Sequence, residues 1–142
     1  MRTWATLDRT NWRKGEWDDE PDKAQWQYKG YDCLIVRNRL GALCGYVGLP
    51  KNHRLYGKHY GELNVGVHGG LTFSDRCVEG ATEEEGICHT NGIADDVWWL
   101  GFDCSHYRDK LPMHGSVFDS ESEYRNFDYV KKEVEHLADQ LI

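Results

Sequence analysis

The stretch VWWLGFDCSHYRD, residues 97–109, guides the interpretation of the whole sequence. Its first six residues are apolar or glycine, and a short apolar run of this kind is typical of a buried β-strand. Asp103, His106 and Asp109 follow at the end of the run and can take part in chemistry. A second run, VHGGLTFS (67–74), carries His68 followed by two glycines. We therefore expect the functional surface to lie where these two runs end.

Further strands are predicted on the N-terminal side of this stretch. An alternating segment over 24–28 and a continuous apolar run over 33–36, separated by the turn Lys29-Gly30, predict a β-hairpin. A third strand ends at Pro50. The sequence thus predicts an α+β fold with a compact mixed or antiparallel sheet of about five to six strands. The predicted strands are residues 24–28, 32–36, 43–49, 64–74 (interrupted by Gly69-Gly70) and 97–103.

The last segment, residues 120–142, predicts an amphipathic helix packed on one face of the sheet. Ser120-Glu121-Ser122-Glu123 has the spacing of a capping box. Apolar residues then recur every three or four positions, as expected for the core-facing stripe of a helix rather than a cofactor site. These residues are Phe127, Val130, Val134, Leu137 and Leu141.

The composition predicts a single folded domain, residues 1–142, with no domain linker within it and with an acidic, Trp-rich arm over 1–22. No run approaches the roughly 18 apolar residues of a membrane span, and the first residues lack the apolar core of a signal peptide. A cytoplasmic protein without membrane contact is expected. The five cysteines lack CxxC spacing, so we expect reduced structural thiols.

The net charge of −7 argues against general nucleic-acid binding, but residues 33–61 contain no acid and carry five cations. Mixed with His and Tyr, these cations suit phosphate contacts and base stacking. The sequence therefore predicts a site for a small anionic ligand, the alternative being a solvated basic face. The candidate ligand-binding residues are Arg37, Arg39, Arg54, Lys58, Tyr60, Gly69, Gly70 and Thr72.

The candidate catalytic residues are His68, Asp103, His106 and Asp109. The last three are spaced i, i+3, i+6, so a helical turn would align carboxylate, imidazole and carboxylate. The alternatives are structural: Asp103 caps a turn, His106 and Asp109 form a surface pair, and His68 bonds a carbonyl. Their ligand types would suit a divalent metal, yet HxH, HExxH and CxxC are absent, so no metal or other cofactor is predicted.

Cys104 could act as a nucleophile beside His106 or His68. It alternates with Leu100 and Phe102 on an apolar face, however, and this position favours burial.

Four sequence motifs within residues 15–140 are distinctive: GEWDDEPD (15–22), LCGYVG (43–48), VHGGLTF (67–73) and WWLGFDCSH (98–106). Through these motifs, residues 15–140 resemble a family of small, uncharacterised bacteriophage proteins. In that family's pattern a glycine often precedes the aspartate after the histidine, whereas here Arg108 precedes Asp109. The resemblance implies a phage protein made in the cytoplasm of a bacterial host, and it implies no mechanism.

Three functions remain open at this level. The first is a phage accessory protein that binds a small anionic, nucleotide-derived ligand, for example to sequester a host defence signal. The second is a His/Asp-dependent hydrolase or transferase, with or without a metal. The third is an inhibitor of a host protein that uses the acidic segment 16–22 to mimic nucleic acid. The protein could also form a homo-oligomer.

Overall fold

A six-stranded antiparallel sheet and a C-terminal helix organise the described part of the chain. The structure is a computed structural model and describes residues 1–77, 86–87, 96–113 and 122–142. The predicted α+β class and strand number are confirmed. The elements are β1 (Arg2–Trp4), β2 (Lys23–Tyr28), β3 (Tyr31–Arg37), β4 (Leu43–Leu49), β5 (Phe73–Asp75), β6 (Trp98–Asp103) and α1 (Phe127–Leu141).

The strand order is β1-β2-β3-β4-β6-β5. The stretch 97–109 therefore supplies β6, which pairs with β4 on one side and with β5 on the other. The predicted hairpin is confirmed as well: Lys29 and Gly30 have φ of 50° and 85°, as a two-residue turn with positive φ at both positions requires.

One face of the sheet packs against α1. Val130, Val134, Leu137 and Leu141 of the predicted stripe are fully buried there. Gly45 allows this close packing, because a Cβ at that position would lie 2.6 Å from Val134 Cγ2 and 2.7 Å from the Phe102 ring. The predicted core face of the helix is confirmed.

The helix begins later than the capping box predicts. Its N-cap is Asn126, whose side chain accepts from the N–H of Tyr129 at 2.8 Å. Glu123 instead forms an isolated parallel bridge with Asp109, while Ser120 and Glu121 lie outside the described residues. The bridge holds the segment before the helix in extended form, so the helix cannot start there.

The other face of the sheet carries a smaller apolar cluster. Leu34, Trp99, Cys77 and Ile87 are buried in it. Tyr46 and Phe73 pack against this cluster with their rings 5.6 Å apart and nearly perpendicular. This helix-free face continues to Asp103, the last residue of β6.

Three predictions from the sequence need correction. The arm at 1–22 contributes a strand, β1, which pairs with β2. Residues 64–72 are irregular, and only Phe73–Asp75 of that predicted segment is a strand. Cys77 is disulfide-bonded, so the prediction of a reduced thiol is wrong for this cysteine.

Cys33, Cys44 and Cys104 are free and buried. Burial raises the pKa of Cys33 and of Cys44 to about 12, and it raises the pKa of Cys104 as well. The thiolate is the nucleophilic form, so these three cysteines are structural at neutral pH. No helix in the described part of the chain has the length and apolar character needed to cross a bilayer.

Candidate functional site

The candidate catalytic residues divide into two clusters around two carboxylates. Asp109 lies in a buried cluster beside the N-terminal end of α1. Asp103 lies at the end of β6 on the helix-free face of the sheet. The turn of residues 106–109 joins them, closed by the hydrogen bond from Asp109 N–H to His106 O at 2.9 Å.

The Asp109 cluster is saturated with hydrogen bonds. The Asp109 carboxylate is 2% exposed and accepts from Arg125 Nε at 3.0 Å and from the backbone N–H of His106 at 3.0 Å. His68 Nε2 lies 2.9 Å from the same carboxylate. A buried carboxylate with this many donors is well compensated for its loss of water.

Both ring nitrogens of His68 are engaged in this cluster. Its Nδ1 lies 2.9 Å from the Tyr129 hydroxyl. Burial, together with Glu133, raises the pKa of Tyr129, so this phenol keeps its proton and can donate it to Nδ1. An ionised carboxylate only accepts, so Nε2 donates to Asp109. Both ring nitrogens of His68 therefore have partners within the fold.

The second cluster borders a pocket, the Asp103 pocket, of about 590 Å³. Asp103 accepts from Ser105 N–H at 3.0 Å and from the Thr72 hydroxyl at 3.2 Å. Its side chain is still 31% exposed. The residues around the pocket are Asn38, Leu40, Cys44, Tyr46, Thr72, Phe73, Phe102, Asp103, Ser105 and His106.

His106 borders this pocket, but one of its ring nitrogens is buried. Its Nε2 lies 3.4 Å from Asp103 Oδ1, near enough for an ion pair, yet it has no hydrogen bond to the described residues. The ring packs on Gly69, where a Cβ would lie 2.4 Å from Nε2. Gly69 has φ of +68°, so glycine meets both the backbone and the space requirement.

His106 and His68 are neighbours, with ring centroids 6.1 Å apart. The structure therefore brings the four predicted catalytic residues into one region but gives them different surroundings. His68 and Asp109 are enclosed, whereas Asp103 and His106 face the pocket.

The predicted basic site does not assemble as one surface. Arg37 is 3% exposed and its guanidinium bonds Asp22, Glu20 and the Tyr124 hydroxyl. It also donates to the carbonyl oxygens of Gly41 and Pro21. The prediction that Arg37 binds ligand is therefore corrected: its donors are used within the fold.

Arg54 and Lys58 lie away from the His/Asp region. Arg54 donates to Ile142 O, beyond the C-terminal end of α1, while His68 contacts Tyr129 near its N-terminal end. A helix of this length separates its ends by about 20 Å. Lys58 O accepts from Trp98, at the opposite end of β6 from Asp103.

Tyr60 lies beside the edge strand β5, where its N–H donates to Ser74 Oγ at 3.1 Å. Thr72 and Gly69 contact Asp103 and His106 directly, and Gly70 follows in the same turn with φ of +81°. Arg39 is exposed and lies beside Asn38, at the same end of the sheet as Asp103.

The acidic segment 16–22 is in part internal. Glu20 accepts from Arg37, from Tyr124 and from the N–H of Phe127. Asp22 is buried and binds Arg9 and Arg37. Two of the five acids are thus neutralised within the fold, which weakens the case for a nucleic-acid mimic.

Several site residues escaped prediction from the sequence. Asn38, Tyr46, Phe73 and Ser105 line the Asp103 pocket, and Arg125 completes the Asp109 cluster. The alternation of Cys44 and Tyr46 along β4 could have indicated that they share a face with Asp103. Nothing in the sequence near Arg125 indicates its pairing with Asp109.

Within the described ranges, no group of three or more His, Cys, Asp or Glu side chains is arranged to hold a metal ion. Comparison with protein-family models, curated proteins and solved structures gives no match to the chain.

Proposed function

We propose that the protein binds a small, nucleotide-derived molecule in the Asp103 pocket. The observation that carries the proposal is the partly exposed carboxylate of Asp103, which lies beside the imidazole of His106 at the edge of a pocket of about 590 Å³. This volume lies within the range of roughly 300–1,000 Å³ that small-molecule sites occupy. A few polar groups in a partly apolar cavity are what such sites use for orientation.

The pocket offers complementary surfaces for a planar polar ligand. Tyr46 and Phe73 supply aromatic surface on which a base could stack. Asp103 supplies acceptors, and Ser105 and Thr72 supply hydroxyl groups. Among the described residues that line the pocket none is Lys or Arg, so this part of the site favours a hydrogen-bonding head group over a phosphate.

The proposed biological setting follows from the resemblance to bacteriophage proteins. A small protein made in the cytoplasm of a bacterial host could sequester a nucleotide signal that the host uses in defence. Binding without turnover would suffice for this role.

Mass spectrometry of small molecules released from the purified protein by heating tests the proposal. We expect a compound that is recovered unchanged and that raises the melting temperature when it is added back. Asp103→Asn should abolish both effects, because it replaces the charged acceptor by a neutral amide of the same shape.

Asp128→Asn is the matched control, since Asp128 is exposed on α1 and away from the pocket. Retention of the same compound by Asp103→Asn at the wild-type level would refute the proposed site.

Acid–base catalysis is the second candidate, because the His106 side chain is 36% exposed and its ring lies 3.4 Å from Asp103 Oδ1. A carboxylate beside an imidazole is a common arrangement for a general base. Conversion of the retained compound by the wild-type protein, lost in a folded His106→Ala variant, would establish an enzyme and overturn pure binding.

A further inference from the structure

A second cavity adjoins the Asp103 pocket on the same face of the sheet. It has a volume of about 450 Å³ and is lined by Thr6, Leu7, Val36, Arg37, Asn38 and Arg39. Asn38 lines both cavities. We call the two together the Asn38 groove.

The strand register shows that the two cavities are neighbours. Val36 of β3 pairs with Cys44 of β4, and Cys44 pairs with Asp103 of β6. These three side chains point from the helix-free face in one row. Adjacent strands lie about 4.8 Å apart, so the row spans about 10 Å from Val36 to Asp103.

The groove has opposite charges at its two ends. Asp103 is partly exposed at one end, as described above. Arg39 is exposed at the other end, where the guanidinium of Arg37 is occupied by internal partners. Asn38 is held between them by its bonds to Ser105 Oγ at 3.0 Å and to the N–H groups of Leu40 and Ala42.

We propose that the Asn38 groove binds a guanine nucleotide, with the base at Asp103 and the phosphate at Arg39. This inference rests on the proposed function and names its ligand class. It assigns Arg39 as the phosphate-binding residue and separates it from the other cations of the basic segment.

The preference for guanine follows from the hydrogen-bonding pattern of a carboxylate. An ionised carboxylate offers two acceptor oxygens side by side. Guanine presents two adjacent donors, the ring N1–H and the exocyclic amino group, to such a pair. Adenine and cytosine each place a ring nitrogen acceptor next to their amino group, and this acceptor would face the negative charge of Asp103.

Isothermal titration of the full chain with GMP, guanosine and AMP tests the inference. We expect GMP to bind at least about tenfold more tightly than guanosine, since a charge-assisted bond to phosphate is lost in the nucleoside. AMP should bind about tenfold more weakly than GMP or worse.

Arg39→Gln should weaken GMP binding to the level of guanosine and leave guanosine binding unchanged. Arg54→Gln is the control, because Arg54 is exposed, lines neither cavity of the groove and lies beside Ile142. This substitution should change neither affinity. Asp103→Asn should weaken GMP and guanosine alike and reduce the preference over AMP.

The outcomes separate the inference from the proposed function. The guanine nucleotide assignment would be overturned if the wild type bound GMP and guanosine equally, or if it bound AMP as tightly as GMP. It would also be overturned if Arg39→Gln kept the wild-type ratio of GMP affinity to guanosine affinity. Absence of binding by all three compounds would overturn it too, while the co-purified compound still decides the proposed function. Binding that is insensitive to Asp103→Asn would refute both.

Discussion

Asp103 and Asp109 are six residues apart and end in very different surroundings. Asp109 is enclosed and receives donors from Arg125, His68 and the backbone of His106. Asp103 is one-third exposed and faces a cavity beside the ring of His106, whose buried Nε2 lacks a hydrogen bond. The same residue type is thus fully bonded inside the fold in one cluster and partly exposed at a cavity in the other.

The difference shows how to separate structural from functional polar residues in a chain of this kind. Groups whose hydrogen-bonding capacity is filled inside the fold stabilise it, and their loss leaves a buried partner unpaired. Groups with unused capacity at a cavity contribute little to stability and are available for recognition.

The largest effect is expected for Asp109→Ala. It leaves the guanidinium of Arg125 and the ring of His68 without their common acceptor, and breaking such a buried pair typically costs about 3–5 kcal/mol. Urea denaturation measures the free energy of unfolding.

Asp139→Ala is the control, because Asp139 pairs with Lys29 at the surface, where both side chains are at least 40% exposed. A loss in Asp109→Ala no greater than in Asp139→Ala would remove the structural assignment of Asp109.

Asp22→Asn should reduce stability by about 2–3 kcal/mol at neutral pH, as expected for loss of bonds to a charged group. Burial raises the pKa of Asp22. The N–H groups of Leu7 and Thr6 and the side chain of Arg9 lower it by more, so the pKa lies below its ordinary value of 3.8. A depressed folded-state pKa gives stability that is present above the unfolded value and is lost as the pH falls through the folded value.

The wild type should therefore lose stability as the pH falls below 3.8, and Asp22→Asn should lose less over the same range. Urea denaturation at a series of pH values makes the comparison. Parallel pH profiles for the two proteins would show that Asp22 does not make this contribution.

Gly69→Ala tests whether the two clusters are coupled. A non-glycine residue at φ of +68° costs about 1–2 kcal/mol, and the added methyl group would lie 2.4 Å from His106 Nε2. We expect that loss of stability together with weaker ligand binding, as His106 is displaced.

Gly70→Ala is a closely matched control: its φ is +81° and a Cβ there meets nothing within 4 Å. Gly70→Ala should lose a similar amount of stability through backbone strain, and its ligand binding should be unchanged. Equal loss of binding in both variants would mean that His106 is not the link.

The smallest effect is a gain. Arg108 has φ of +74° in the turn that joins the clusters, a conformation that glycine adopts without strain. Arg108→Gly should stabilise the protein by up to about 1 kcal/mol, because relief of strain exceeds the added freedom of the unfolded chain.

Thermal and urea denaturation measure this gain. Lys58→Gly, at a position without positive φ, should destabilise instead. A loss of stability in both variants would show that Arg108 stores no strain.

Much of the sheet was predictable from the sequence because it depends on local patterns. The hairpin around Lys29-Gly30 and the strand Leu43–Leu49 follow from apolar runs and turn residues. β1 was missed because three polar and aromatic residues give no alternation. The helix start was misplaced because the segment before it is held by Asp109, which is distant in sequence.

The site was predictable in its residue types but not in its connections. The i, i+3, i+6 spacing drew attention to Asp103, His106 and Asp109, yet it could not show that Asp109 is bonded by Arg125. Nor could the basic segment 33–61 show that the guanidinium of Arg37 is bonded to Asp22 and Glu20. Such pairings depend on how distant segments pack, and composition does not encode them.

The row formed by Val36, Cys44 and Asp103 has a consequence for protein engineering. These side chains stand on three adjacent strands, on the face opposite α1, while the fully buried residues of those strands that pack against α1 lie on the other face. A combinatorial library at the row would therefore vary the chemistry of the groove and leave the helix packing intact. The sheet offers a scaffold whose specificity could be reprogrammed one strand at a time.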